Sequence, residues 1–270
     1  MPELPEVETA RRGLQPHLEG AVIRAVHIRE PRLRWPVPAE LADQLSGQRV
    51  QAVRRRSKYL LIDVNEGSAL VHLGMSGSVR IDGKENPRRK HDHVQLELDS
   101  GLLLRYNDAR RFGCWLWQPH GEIHPLLAKL GPEPFDEAFD GQRMWRLSRG
   151  RSAAVKTFLM DAATVVGVGN IYASEALFRA GIDPRRAAGR VSLARYQKLA
   201  EVVCTVLAEA ITQGGTTLRD FLRPEGTPGY FAQSLNVYDR GGEPCKTCAK
   251  PIKRVVLGQR ASYYCPVCQR

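Results

Sequence analysis

Val94-Gln-Leu-Glu-Leu98 alternates apolar and polar residues at period two, Asp99-Ser-Gly101 interrupts it, and Leu102-Leu-Leu-Arg-Tyr106 resumes in β-forming residues. Alternation of that kind gives a strand one apolar and one polar face, and a short polar turn ending in glycine returns the chain antiparallel. Towards the N-terminus, runs at 22–28, 49–53, 59–64, 69–73 and 78–81 have the same character, which makes seven expected strands. Many short strands with little helix between them predict a β-sandwich or barrel. Ahead of them Leu4, Val7, Ala10, Leu14 and Leu18 recur at helical spacing, so an amphipathic helix over 5–17 is expected, stopped at Gly20.

Towards the C-terminus, Leu130-Gly-Pro-Glu-Pro134 marks a boundary. Beyond it the period becomes helical, with helices expected at 135–147, 153–162, 171–180 and 192–212. A Gly-Gly turn at 214–215 should lead into a short helix at 216–222, and Arg223-Pro-Glu-Gly-Thr-Pro-Gly229 into a mobile loop. The class is therefore α+β, divided as 1–131, 132–235 and 236–270.

The last 26 residues hold four of the six cysteines. Cys245-x2-Cys248 and Cys265-x2-Cys268 are separated by sixteen residues. Two close pairs on two tight turns let four thiolates converge on one tetrahedral Zn²⁺, and such a closed site is structural. The intervening Pro251–Leu257 and Ala261–Tyr264 stretches read as a β-hairpin carrying Lys253, Arg254 and Arg260. Cys114 and Cys204 lie in apolar runs and are expected to be inert core thiols.

The chain carries 40 Lys and Arg against 29 Asp and Glu, a net charge of +11. That balance suits a polyanion, nucleic acid first and an anionic membrane surface second. No stretch reaches eighteen apolar residues, and the acidic start lacks the apolar run of a signal peptide, so neither a membrane span nor secretion is expected.

Four further stretches carry polar chemistry. Met1-Pro-Glu-Leu-Pro-Glu-Val-Glu8 exposes the secondary amine of Pro2 once Met1 is removed. A terminal amine has a reference pKa of about 8, so near neutral pH part of it is an uncharged nucleophile, with Glu3 beside it as proton donor or acceptor. The same residues also make an ordinary helix start, with Pro5 in the first turn and Glu6 and Glu8 at the positive end of the dipole. Val165-Val-Gly-Val-Gly-Asn170 leads into a helix and reads either as an anion site or as a plain turn. Tyr106-Asn-Asp-Ala-Arg-Arg-Phe-Gly113 offers cations beside an aromatic wedge or an ordinary loop. Met75, in the glycine-rich turn His72-Leu-Gly-Met-Ser-Gly77, reads as core; Arg54-Arg-Arg56 before Lys58 reads as a solvated face; Lys90-His-Asp-His93 has poor spacing for a metal.

Taken in order, Met1–Thr9, Lys58-Tyr-Leu-Leu61, His72–Gly77, Arg110-Arg-Phe-Gly113, Val166–Glu175, Gln213-Gly-Gly-Thr-Thr217 and the cysteine hairpin resemble the formamidopyrimidine-DNA glycosylases over nearly the whole chain. The resemblance implies an N-terminal β-sandwich, a helical domain with a helix-two-turn-helix, and a zinc-finger β-hairpin. It implies removal of oxidised purines from double-stranded damaged DNA followed by strand cleavage. Pro2 would attack C1′ and Glu3 would assist ring opening. Lys58 would aid the first elimination and Arg260 the second. His91, Arg110, Arg151, Lys156 and Asn170 would contact DNA, while Met75, Arg110 and Phe112 would fill the space left by the extruded base. Zinc would be held by Cys245, Cys248, Cys265 and Cys268. A monomer in the bacterial cytoplasm, associated with the nucleoid, is expected. Ala109 stands where the family carries proline, a departure that bears on the stiffness of that loop. Endonuclease VIII-like glycosylases for oxidised pyrimidines are the nearest alternative. A non-catalytic zinc-ribbon protein and a translation-associated RNA-binding protein are the others.

Overall fold

The computed structural model describes residues 2–216 and 234–270. The short helix expected over 216–222, apart from Thr216, and the loop expected over 223–229 lie outside the described residues. The chain divides into two compact units, Met1–Ala128 with Gln213–Tyr230, and Lys129–Thr212 with Phe231–Arg270.

The first unit opens with α1 (Leu4–Leu18). Glu3 caps it, Pro5 occupies the first turn, and Glu6 reaches back to the Glu3 backbone N–H at 2.8 Å, closing a capping box. Its buried stripe contains Leu4, Val7, Ala10, Leu14 and Leu18, the residues that the helical period marks. After β1 (Ile23–Ile28) and the short α2 (Leu41–Leu45) come β2 (Ala52–Arg56), β3 (Tyr59–Val64), β4 (Gly67–His72), β5 (Ser78–Asp82), β6 (Asp92–Leu98), β7 (Leu103–Asn107) and β8 (Cys114–Pro119). They form two four-stranded sheets, ordered β1-β6-β7-β5 and β2-β3-β4-β8. One apolar core holds Leu96 and Leu104 from the first sheet, Ile62, Val71 and Trp115 from the second, and Leu14 from α1. This is the expected sandwich. The 94–106 hairpin forms with Leu96 opposite Leu104, and Gly101 takes φ +85 at its turn.

Two expectations change here. An eighth strand, β8, pairs with β4 and sets Trp115 opposite Val71. It has no period-two signature because Cys114, Trp115 and Leu116 are all buried. The strand expected over 49–53 is shifted to Ala52–Arg56, so the arginine run lies within a strand. Its cations are paired: Arg54 with Asp63, and Arg55 with Glu8.

The short α3 (Pro125–Ala128) ends the first segment of the first unit. The second unit contains α4 (Gly141–Ser148), α5 (Val155–Leu159), α6 (Asn170–Arg179) and α7 (Leu193–Thr212), then β9 (Lys253–Leu257) and β10 (Arg260–Tyr264). The helix expected over 135–147 starts only at Gly141, because Asp140 accepts the Arg143 N–H at 2.6 Å as an N-cap. Gly141 is required there: a Cβ would come within 2.3 Å of the Gln197 backbone on α7. The helix expected over 153–162 is shorter, Val155–Leu159. No described helix is long and apolar enough to cross a membrane.

Candidate active site and nucleic-acid interface

Pro2 and Glu3 are buried at the head of α1. Glu6, itself fully buried, ties that head to a distant part of the same unit. Its Oε2 accepts from Glu3 N at 2.8 Å, while Oε1 accepts from the Thr216 N–H at 2.8 Å and the Thr216 hydroxyl at 2.9 Å. Gly215 makes this approach possible: it sits at φ +78, and a Cβ would fall 2.8 Å from Glu6 Oε1. A buried carboxylate is stable only when its oxygens are supplied with donors, and here three are supplied. In the sequence Glu6 reads as a dipole partner only; its tertiary bond has no local signal.

Lys58 follows Ser57, which adopts φ +57 in the turn between β2 and β3. Arg55 holds that turn by donating to Ser57 O at 2.9 Å. The hairpin is fastened along α1: Glu8 accepts from Arg55 at 3.3 Å, and Glu19 Oε1 accepts from Val53 N at 2.9 Å. The turn bearing Lys58 is thus fixed to the helix that Pro2 and Glu3 immediately precede. His72, across from Tyr59 in the ladder, accepts the Gly74 N–H on Nδ1 at 2.9 Å. Burial, then the Lys58 and Arg34 charges, lower its pKa to about 4, so the imidazole is neutral at physiological pH.

Met75, Arg110 and Phe112 lie on two adjoining turns of this unit. The guanidinium of Arg110 is 5.9 Å from the Phe112 ring centroid, and Met75 and Phe112 are 42% and 46% exposed. Met75 is therefore not the core residue its turn suggests. The loop lacks the family proline at Ala109, yet it is pinned, because Asp108 is buried and bonded to Ser76, Tyr106 and Gly113. The His91 ring lies 6.0 Å from that of His93, and His93 Nε2–H donates to Asp108 O at 2.8 Å. Cys114 is buried, and its thiol is pushed up to about 12 by that burial, as suits an inert core thiol. Cys204 is bonded to Pro134 O and is also raised by burial.

In the second unit, Asn170 is the first residue of α6, after Gly169. Lys156, from which a DNA contact is expected, is bonded within the unit. It is 1% exposed, and its ammonium donates to Asn170 Oδ1 at 2.7 Å, to Ser262 Oγ at 2.8 Å and to Ala261 O at 3.4 Å. Asn170 Nδ2 donates to the same Ala261 carbonyl at 3.0 Å. Both side chains therefore hold the residue next to Arg260. Arg260 starts β10 after a two-residue turn in which Gly258 and Gln259 have φ +53 and +62. Arg260 and Arg151 line one cavity of about 370 Å³, together with Phe158 and Asp161.

Cys245, Cys248, Cys265 and Cys268 bring their sulfur atoms within 4.8 Å of one another. Zn–S bonds of about 2.3 Å in a tetrahedron require S–S separations near 4 Å, so the donor set fits one zinc ion. Burial raises the Cys245 thiol, but backbone N–H groups of Cys248 and Thr247 and the neighbouring thiols bring it to about 7, whereas burial raises Cys265 and, with the neighbouring thiols, pushes Cys268 up to about 12. The start of this module is anchored by buried Glu175 on α6, which accepts from the N–H groups of Asn236, Val237 and Tyr238 at 2.8–2.9 Å.

A sandwich with its chain start buried at one helix head, and a helical unit carrying a four-cysteine hairpin, define a protein with a zinc-binding module appended to helices. Family models match in order: the formamidopyrimidine-DNA glycosylase N-terminal domain over residues 1–115, its H2TH domain over 130–222, and the zinc finger found in FPG and IleRS over 242–270. The formamidopyrimidine-DNA glycosylase of Stenotrophomonas maltophilia (strain R551-3) is 62% identical over 270 residues, all of both chains. The crystal structure of the MutM (Fpg) protein of Thermus thermophilus superposes with TM-score 0.90 at 38% identity, covering 99% of this chain and 98% of that one. An Fpg variant from Lactococcus lactis, solved with Fapy-dG-containing DNA, gives TM-score 0.93 at 32% identity over the whole of both chains. The chain belongs to the formamidopyrimidine-DNA glycosylase family.

Proposed function

We propose that this chain is a bifunctional base-excision repair enzyme that removes 8-oxoguanine and formamidopyrimidines from duplex DNA and then cuts the strand by β,δ-elimination. The observation that carries the reading is the burial of Pro2 beside Glu3, whose N–H is held by Glu6 while the second Glu6 oxygen recruits Thr216. A capping box accounts for the bond to Glu3, but not for the bonds to Thr216, 210 positions away. The purine lesion follows the Fapy-dG bound by the Lactococcus lactis relative.

In this reading the Pro2 amine attacks C1′, the bond from C1′ to the base breaks, and the base leaves as its anion takes a proton. Glu3 transfers a proton as the sugar ring opens, leaving a cationic iminium on Pro2. That cation acidifies C2′–H; loss of the proton expels the 3′ phosphate, with Lys58 supporting the departing oxygen. A second elimination expels the 5′ phosphate, with Arg260 holding it, and water returns Pro2 as the free amine. Asn170, Arg151, His91 and Arg110 bind the backbone or the orphaned base, and Lys156 acts by holding Asn170. Met75, Arg110 and Phe112 fill the gap left by the extruded base, whose removal from the stack costs a few kcal/mol. The zinc ion supplies structure to the hairpin and takes no part in the reaction. The domain division 1–131, 132–235 and 236–270, a monomeric state and a bacterial cytoplasmic, nucleoid-associated location belong to the same proposal.

Borohydride trapping on a duplex with one 8-oxoguanine tests it. The mature protein beginning at Pro2 forms a covalent adduct whose mass maps to Pro2. Protein with an uncleaved N-terminal extension binds but neither traps nor incises, because an amide nitrogen does not attack. Equal cutting by the extended protein overturns the nucleophile. Faster incision of oxidised-pyrimidine duplexes moves the specificity to the endonuclease VIII type.

A further inference from the structure

Asp108 has no part in the chemistry above, yet it is fully buried and four segments of chain converge on it. Oδ1 accepts from Ser76 Oγ at 2.7 Å; Oδ2 accepts from Gly113 N at 2.8 Å and from the Tyr106 hydroxyl at 3.0 Å. Its own N–H donates to His91 O at 3.0 Å, and its carbonyl accepts from Arg111 N at 3.2 Å and His93 Nε2 at 2.8 Å. Ser76 Oγ in turn accepts from Arg110 N at 3.3 Å. One residue thereby joins the turn between β4 and β5, the start of β6, the end of β7 and the loop before β8.

The segments meet backbone to backbone. Gly74 has φ +64, and a Cβ there would lie 2.4 Å from the carbonyl carbon of Phe112; a Cβ on Gly113 would lie 1.9 Å from the Tyr106 hydroxyl oxygen. Arg111 is held at φ +58. The Tyr106 phenol is pushed well above its usual range by burial and by the Asp108 charge, so it remains a donor. On this tightly joined base stand the exposed side chains of Met75 and Phe112, with the Arg110 guanidinium beside the Phe112 ring.

A wedge pushed into a base stack works best when the cost of ordering it was met during folding. Two separate turns that moved independently would insert Met75 and Phe112 at different moments and in different places. We infer that Asp108 is a positioning residue that unites Met75, Arg110 and Phe112 into one rigid wedge, an inference that rests on reading those three as the fillers of the vacated base site. A side chain with two hydrogen-bonding atoms on one branch is needed, because Ser76 lies on one turn and Gly113 on the other.

The test uses the mature full-length protein under single-turnover conditions on two duplexes, one with 8-oxoguanine opposite cytosine and one with a preformed abasic site. The abasic site has no base to extract, so it reports chemistry without the wedge's main task. Ser76→Ala removes the tie between the turns but leaves the bonds from Asp108 to Tyr106 and Gly113. It is expected to slow 8-oxoguanine excision about tenfold, to leave abasic incision within about twofold and to leave the melting temperature nearly unchanged. Asp108→Ala should show the same split more strongly. Asp108→Asn should restore excision, since its amide oxygen can take the Gly113 and Tyr106 donors and its amide nitrogen can donate to Ser76 Oγ. Unchanged excision in Ser76→Ala and Asp108→Ala overturns the inference. A parallel fall of excision, abasic incision and melting temperature also overturns it, by reducing Asp108 to a folding role. Met75→Ala and Phe112→Ala separate the two readings. If these excise at the wild-type rate, the wedge itself is wrong; if they are slow while the Ser76 and Asp108 variants are not, only the positioning role fails.

Discussion

Lys156 Nζ donates to Asn170 Oδ1 at 2.7 Å. The same ammonium reaches Ser262 and Ala261 on the zinc hairpin, so its charge is spent inside the protein. Lysine is suited to this use: a compact cation with three donors can bind three oxygens that point in different directions. In the proposed function this separates residues that neutralise phosphate from residues that hold them in place.

Salt dependence distinguishes the two. A residue that neutralises a phosphate contributes about one unit to the slope of log affinity against log salt. Arg260→Ala is expected to lower the slope on undamaged duplex by about one unit. Lys156→Met is expected to weaken binding while changing the slope by less than about half a unit. Anisotropy titrations across a salt series measure both, and a full-unit change for Lys156→Met would mean that its ammonium faces DNA.

Glu6→Gln leaves an amide N–H₂ facing either the Glu3 N–H or the Thr216 donors, which Glu6 now satisfies. A donor set against a donor costs about 1–3 kcal/mol. The variant should melt several degrees lower and trap 8-oxoguanine DNA more slowly than wild type. Gly215→Ala should do likewise, through its positive φ and the close Glu6 oxygen. Thermal melts and single-turnover trapping read both effects.

His72 has a folded pKa of about 4, set first by burial and then by Lys58. The ordinary value is about 6.5, so below that pH the unfolded chain binds a proton that the folded chain refuses. Stability from this residue is complete above pH 6.5 and is lost as pH falls from 6.5 towards 4, by on the order of 2–3 kcal/mol. His72→Asn keeps an acceptor for Gly74 N–H and removes the titration. Urea unfolding at pH 7, 5.5 and 4.5 should show a steeper acid loss for wild type than for the variant.

Cys248→Ser removes one of four zinc ligands. Phe178, Val237, Ile252 and Tyr263 pack with Cys245 and Cys265 in a small core of their own. A hairpin of this size depends on its metal for folding. Elemental analysis should find one zinc in wild type and much less in the variant. DNA affinity should fall while the circular dichroism of the sandwich persists. Full affinity in zinc-free protein would contradict a structural role for the metal.

Much of this molecule is legible in its amino-acid order. The helical stripe from Leu4 to Leu18, the period-two hairpin at 94–106 and the paired cysteines are signals within a few dozen residues. They depend on how a helix turns, how a strand alternates and how a tetrahedron is filled. Resemblance to a family supplies the roles of Pro2 and its companions, and the tertiary structure supplies their supports. Those supports are invisible in the chain because each joins residues far apart in sequence. Glu6 meets Thr216 across 210 positions, Lys156 meets Ser262 across 106, and Ser76 meets Asp108 across 32. The same cause requires glycine at 141, where α7 packs close, and raises β8 from an apolar run that has no periodicity. Periodicity and ligand spacing are local properties and so are written in the sequence. Which buried carboxylate or ammonium receives which donors is decided only when folding excludes water and every polar group left inside must find a partner.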